Sequence, residues 1–154
     1  MRRILLIVLA LSVAIAVPTA LAATKNKFQA NLNGKSETPP TKSAGTGAAN
    51  FVLTHGGKTI NYTISAKGLS GPVQAIHIHF GKKGVAGPVI LPICLKPCSL
   101  PKKGKLTKKN FAKAAGVPNF ATAVKDLRAG KTYVNIHTKD NPGGEIRGQI
   151  KPKK

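Results

Sequence analysis

Three of the four histidines in this 154-residue chain fall in two short runs of alternating character, Val73-Gln-Ala-Ile-His-Ile-His-Phe80 and Tyr133-Val-Asn-Ile-His-Thr138. Successive side chains of an extended strand point to opposite faces. Ile76, Ile78 and Phe80 therefore share one face and His77 and His79 the other, while Val134 and Ile136 oppose Tyr133, Asn135 and His137. In Gly144-Glu-Ile-Arg-Gly-Gln-Ile150 the apolar face carries Ile146 and Ile150, which leaves Glu145, Arg147 and Gln149 outside. Two imidazoles at i and i+2, joined by a third from a neighbouring strand, suit a mononuclear copper or zinc site with one open position. The metal candidates are His77, His79 and His137. The same cluster also reads as a hydrogen-bonded structural network, or as a small-molecule or glycan pocket, because buried polar groups must find partners.

The elements that hold these residues read as strands. Phe28, Ala30 and Leu32 alternate with polar residues, and so do Ala49, Phe51 and Leu53, then Ile60, Tyr62 and Ile64. Gly56-Gly57 marks a hairpin turn and Pro39-Pro40 a connection outside any central strand. Many short strands at regular spacing indicate an all-β, antiparallel sandwich or barrel. One long insertion, about 81–131, is rich in glycine, proline and lysine and carries two short helical patterns, one capped by Thr107 and stopping at Gly116, the other capped by Asn119 and stopping at Gly130. A symmetric hairpin through Asp140-Asn-Pro-Gly143 sets His137 opposite Glu145 and Asn135 opposite Arg147. The polar cluster holds no lysine although lysine dominates the chain, so the insertion is expected to fold over it.

Residues 1–23 carry Arg2-Arg3, an apolar run and small residues near Ala22-Ala23, the parts of a cleaved secretory signal peptide. Residues 24–154 then form a single domain. The formal charge is +21, falling to +19 if the leader and its two arginines are removed. Four acidic residues argue against paired-carboxylate catalysis, Ser65, Ser70 and Ser99 lack a nucleophile motif, and the absence of Trp argues against a base-stacking platform. Export gives a secreted or cell-envelope (periplasmic) setting, in which Cys94 and Cys98 read as a disulfide closing a small loop rather than a thiolate metal or redox pair. Beyond Arg128 and Arg147 the exported chain's basic residues are lysines, which argues against sequence-specific nucleic-acid recognition. Lys102, Lys103, Lys105, Lys108, Lys109 and Lys113 are the candidate contact to anionic wall polymers, polysaccharide or lipid head groups, solubility being the plainer reading of the charge. Asn61-Tyr-Thr63 is a glycosylation sequon.

Several blocks together resemble the CHRD (chordin-type) domain family in its small secreted microbial form. They are Phe28-Gln-Ala-Asn-Leu-Asn-Gly34 with Glu37-Thr-Pro-Pro40, Gly45-Thr-Gly-Ala-Ala-Asn-Phe51, Ile60-Asn-Tyr62, and Gly68-Leu69. His77-Ile-His79 with Gly87-Pro-Val89 follows, then Tyr133-Val-Asn-Ile-His-Thr138 and Pro142-Gly-Gly-Glu-Ile-Arg-Gly-Gln149. The resemblance implies an immunoglobulin-like or superoxide-dismutase-like β-barrel and an extracellular setting, and no particular activity; the chain is read first as a non-enzymatic extracellular binding or adhesion module. His77-Ile-His79 is similar to the His-x-His copper ligands of copper/zinc superoxide dismutase. Four histidines are too few for that enzyme's full dinuclear site. Two readings of function follow: an extracellular binding module with a basic surface, and a mononuclear copper or zinc protein.

Overall fold

The computed structural model describes residues 25–95 and 97–153, so the leader expected over 1–23 lies outside the described residues. The strands are β1 (Lys27–Asn33), β2 (Thr46–Thr54), β3 (Thr59–Lys67), β4 (Val73–Phe80), β5 (Val89–Leu95), β6 (Lys102–Leu106), β7 (Thr132–Thr138), β8 (Ile146–Gln149) and β9 (Lys151–Pro152). One helix, α1, spans Phe120–Arg128. All strand pairings are antiparallel, in the order β5-β4-β7-β8-β1-β2-β3-β6, with β9 also on β1.

The sheet curls into a nearly closed barrel because its inner faces share one core. Phe28 and Leu32 of β1, Phe51 of β2, and Ile60 and Ile64 of β3 are buried together with Ile76 and Ile78 of β4 and Ile136 of β7. Strand parity alone dictates this: along β1 buried residues alternate strictly with exposed ones. Removing such side chains from water is the main force closing the sheet. Among the described residues no helix is long and apolar enough to cross a membrane.

The long insertion departs from its sequence reading. Besides turns it contributes two strands, β5 pairing with β4 and β6 with β3, one at each end of the sheet. Both suit an edge: β5 carries Pro92, which cannot donate to a ladder, and β6 is lysine-rich. Thr107 caps only a single 3-10 turn, Lys108–Asn110, and not a helix reaching Gly116. Two residues on, the Ala112 amide donates to the Ile90 carbonyl (2.9 Å), which ties the chain to β5 in place of a further helical turn. Asn119 does cap α1, its side chain accepting from the Thr122 amide at 2.9 Å. Cys94 and Cys98 form a disulfide, with Cα atoms 6.0 Å apart.

Candidate metal centre

β4 and β7 are neighbours in register, with His77 opposite Asn135 and Ala75 opposite His137. Ile76, Ile78, Val134 and Ile136 go inward and are fully buried, so the alternate side chains of both strands meet on the outer face. There one ring nitrogen from each of His77, His79 and His137 lies within 4.8 Å of the other two. At a metal–nitrogen distance of about 2.1 Å, three tetrahedral ligand nitrogens stand roughly 3.4 Å apart. The nitrogens stand up to 4.8 Å apart, wider than that spacing.

Hydrogen bonding prepares two of the rings. His79 Nδ1 lies 2.9 Å from the Gly87 carbonyl, and His137 Nδ1 lies 2.9 Å from the Pro142 carbonyl. A carbonyl can only accept, so each Nδ1 carries the proton and each Nε2 keeps its lone pair. These Nε2 atoms, and Nδ1 of His77, are buried with no hydrogen-bond partner. Such atoms are rare in native structures because each forfeits the hydrogen bonds it made with water. Burial above all holds the rings neutral: with added repulsion from neighbouring imidazoles, and for His79 from Arg147, His77 and His79 are each pushed down to about 4, and burial lowers His137 as well. Three clustered neutral imidazoles, each with an unpartnered nitrogen, are a donor set suited to a copper or zinc ion. His77 and His137 also line a surface groove with Gln74, Leu95 and Pro142, so the centre opens outward.

The remaining expected members divide. Tyr133 is stacked on His79, ring centroids 4.8 Å apart and planes 10° from parallel. The Arg147 guanidinium lies over the Tyr133 ring, 3.4 Å from its centroid. Asn135 sits opposite Arg147 in the β7–β8 ladder, as the hairpin symmetry requires, and its amide donates to Glu37 Oε2 at 3.4 Å. Glu145 does not join the imidazoles. Gly144, at φ +129°, precedes it and β8 begins only at Ile146, so the chain has not yet settled into strand alternation. Its carboxylate turns to Thr138, a core-side residue of β7, and accepts from Thr138 Oγ1 (2.5 Å), Ser43 Oγ (2.6 Å), the Ser70 amide (2.8 Å) and Ser70 Oγ (2.9 Å). Burial raises its pKa, but these bonds together outweigh that and leave it lowered.

Only part of the insertion covers the face. The segment 81–88 crosses it, and the Lys82 and Val85 carbonyls accept from Arg147 (3.3 and 2.7 Å). Gly87 lies so close to the end of β4 that a Cβ there would stand 1.7 Å from the Phe80 carbonyl oxygen. The second cover was not read from the sequence: it is the connection between β1 and β2, whose Thr38 Oγ1 accepts from Arg147 (3.2 Å). Glu37, in the same connection, is buried beside Asn135, and burial pushes its pKa up to about 7 against the nearby Arg147 charge. Its signal was present: it is one of four acids, placed in a proline-bounded connection. Gly144 is likewise required, since a Cβ there would meet both Asn135 and Glu37 within 2.9 Å.

The lysine candidates lie elsewhere. Lys103 and Lys105 are exposed on β6, Lys102 is half-buried, and Lys108, Lys109 and Lys113 are exposed on the chain that follows. Asn61 is exposed on β3 opposite Lys105. Compared with known proteins, residues 28–150 match the model of the CHRD domain. No curated protein and no solved structure matches the chain.

Proposed function

The chain belongs to the CHRD domain family, and from that premise we propose that it is an extracellular metal-binding module in which His77, His79 and His137 hold one copper or zinc ion. One observation carries the reading: a buried ring nitrogen on each of the three clustered histidines has no protein partner. A purely structural network would have joined these nitrogens to Asn135, Arg147 or one another, and none of those contacts forms among the described residues. The Gly87 and Pro142 carbonyls would act as the outer partners that orient ligating imidazoles and raise their basicity. The ion would supply a Lewis-acidic or redox-capable centre at the groove.

The test uses protein purified without a polyhistidine tag, stripped with chelator and titrated calorimetrically with copper(II) or zinc. The expected result is one ion per chain, lost in His77→Ala/His137→Ala. At a free metal concentration about a hundredfold above Kd, linkage adds about 2.7 kcal/mol. For a domain of this size that is a rise in Tm of roughly 10 °C. Binding of either metal at equal strength by the double variant, or no saturable binding of either, would overturn the proposal.

A second reading, contact with anionic surfaces, is favoured by the exposed Lys103, Lys105, Lys108 and Lys109, the last two sharing a groove with Lys58. Retention on an anionic resin should drop when these are neutralised, and more than when an equal number of scattered lysines is neutralised.

A further inference from the structure

Past Tyr133 the outer face continues into a second pocket, of about 240 Å³. Its floor comes from strand pairing: Asn33 stands opposite Arg147 and Gln29 opposite Lys151. Parity then places Gln29 and Asn31 of β1 beside Arg147, Gln149 and Lys151 on one face, and all five line the pocket. Ser36 and the Lys83-Gly84 pair, from the two crossing connections, form its walls.

The electrostatics of this pocket are one-sided. Three cations line it and no carboxylate does. Arg147 is only 3% exposed, and its recorded hydrogen bonds go to neutral oxygens, those of Thr38, Lys82 and Val85. Among the described residues no carboxylate forms an ion pair with it. Glu37 hydrogen-bonds Asn135 and feels the Arg147 charge without forming an ion pair with it, burial pushing its pKa up to about 7. Buried charge without a counter-charge is costly and is normally paired. Apart from Ala30 and Gly84, the rest of the lining is amide and hydroxyl. Gln149 donates its amide N–H groups to the Gly81, Gly130 and Thr132 carbonyls, which leaves its side-chain oxygen as an acceptor. Groups that both donate and accept match the hydroxyls of a sugar, and the small volume fits one residue rather than a chain.

We propose that this pocket binds a single acidic sugar residue, its carboxylate between Arg147, Lys83 and Lys151 and its hydroxyls on Gln29, Asn31, Ser36 and Gln149. The site is separate from the imidazole cluster, and its test is run without metal, so the outcome does not depend on the metal reading. The chain is titrated with sodium glucuronate, glucose and sodium sulfate in low salt, followed by two-dimensional NMR. Glucuronate should give saturable shifts at the Asn31, Gly84 and Gln149 amides, and glucose should give none. Lys83→Ala/Lys151→Ala, which removes two surface charges and no core contact, should weaken binding by roughly tenfold or more. Lys103→Ala/Lys105→Ala, of equal charge change on the far edge, should leave it unaltered. Absence of saturable shifts with glucuronate, or equal weakening by both double variants, would overturn the site. Sulfate binding as tightly as glucuronate would overturn its assignment to a sugar.

Discussion

Glu145→Gln replaces a buried carboxylate by its neutral isostere and tests whether the fold depends on that charge. The carboxylate is 0% exposed and accepts four hydrogen bonds from Ser43, Ser70 and Thr138. A hydrogen bond to a charged group contributes about 1.5–3 kcal/mol against about 0.5–1.5 for a neutral pair. Losing the charge, and turning one acceptor atom into a donor, should therefore cost about 3 kcal/mol at neutral pH. With an unfolding entropy of about 2.1 cal/mol/K per residue, the corresponding fall in Tm is roughly 10 °C. The sign of the pH dependence follows from the direction of the shift. Because the folded pKa lies below the unfolded value of about 4.5, the stabilisation is complete above that value. It disappears as pH falls through the folded pKa. Gln cannot ionise, so the difference between wild type and variant should shrink toward acid. Glu37 and the histidines titrate in both proteins and cancel. Urea unfolding of both chains in chelator, from about pH 7 to about pH 3, reads this difference directly. A difference of a few tenths of a kcal/mol at neutral pH, or one that stays constant into acid, would refute the reasoning.

Three further outcomes bear on the imidazoles. In metal-free protein, His77→Ala should leave the melting temperature unchanged or slightly raised, because it removes a buried unpartnered nitrogen; a clear destabilisation in thermal melts would favour a structural role. Since burial holds His77 and His79 down at about 4, both are neutral above that pH and protons compete with metal only in distinctly acidic solution. Equilibrium dialysis with elemental analysis should show metal retained at about pH 5.5, where unperturbed histidines near 6.5 are already mostly protonated. Gly87→Ala forces the segment 81–88 off the Phe80 carbonyl and takes the oxygen that orients His79 with it. Calorimetry should show metal affinity reduced by about tenfold or more.

Much of the site was legible because parity is a local property. Burial of Ile76, Ile78, Val134 and Ile136 follows from apolar alternation, and the imidazoles take the remaining face whatever the rest of the chain does. The Asn135–Arg147 pairing followed from hairpin symmetry because β7 and β8 carry no bulge between those residues. Glu145, one residue outside the regular ladder, escaped it: a backbone angle at Gly144 decided where its carboxylate went, and no side-chain pattern encodes that angle. The strands β5 and β6 were hidden for a different reason. Edge strands tolerate proline and lysine, so their composition imitates a loop. The place of Glu37 and Thr38 in the cover was hidden because their contacts span 98 to 109 residues, although Glu37 stands out as one of four acids.

The alternation of β4 and β7 has a further consequence for how such a protein changes over generations. Odd and even positions of the same two strands answer to different demands, one set to packing and the other to the imidazole triangle. An exchange among Ile, Val and Leu at 76, 78, 134 or 136 alters the interior while leaving the ring nitrogens where the backbone hangs them. Substitution at 77, 79 or 137 does the reverse, and of the crossing connections the segment 81–88 is tied to the second set through Gly87, whose carbonyl orients His79. Within this domain, the packing of the core and the placement of the imidazoles are therefore inherited on interleaved residues and can diverge separately.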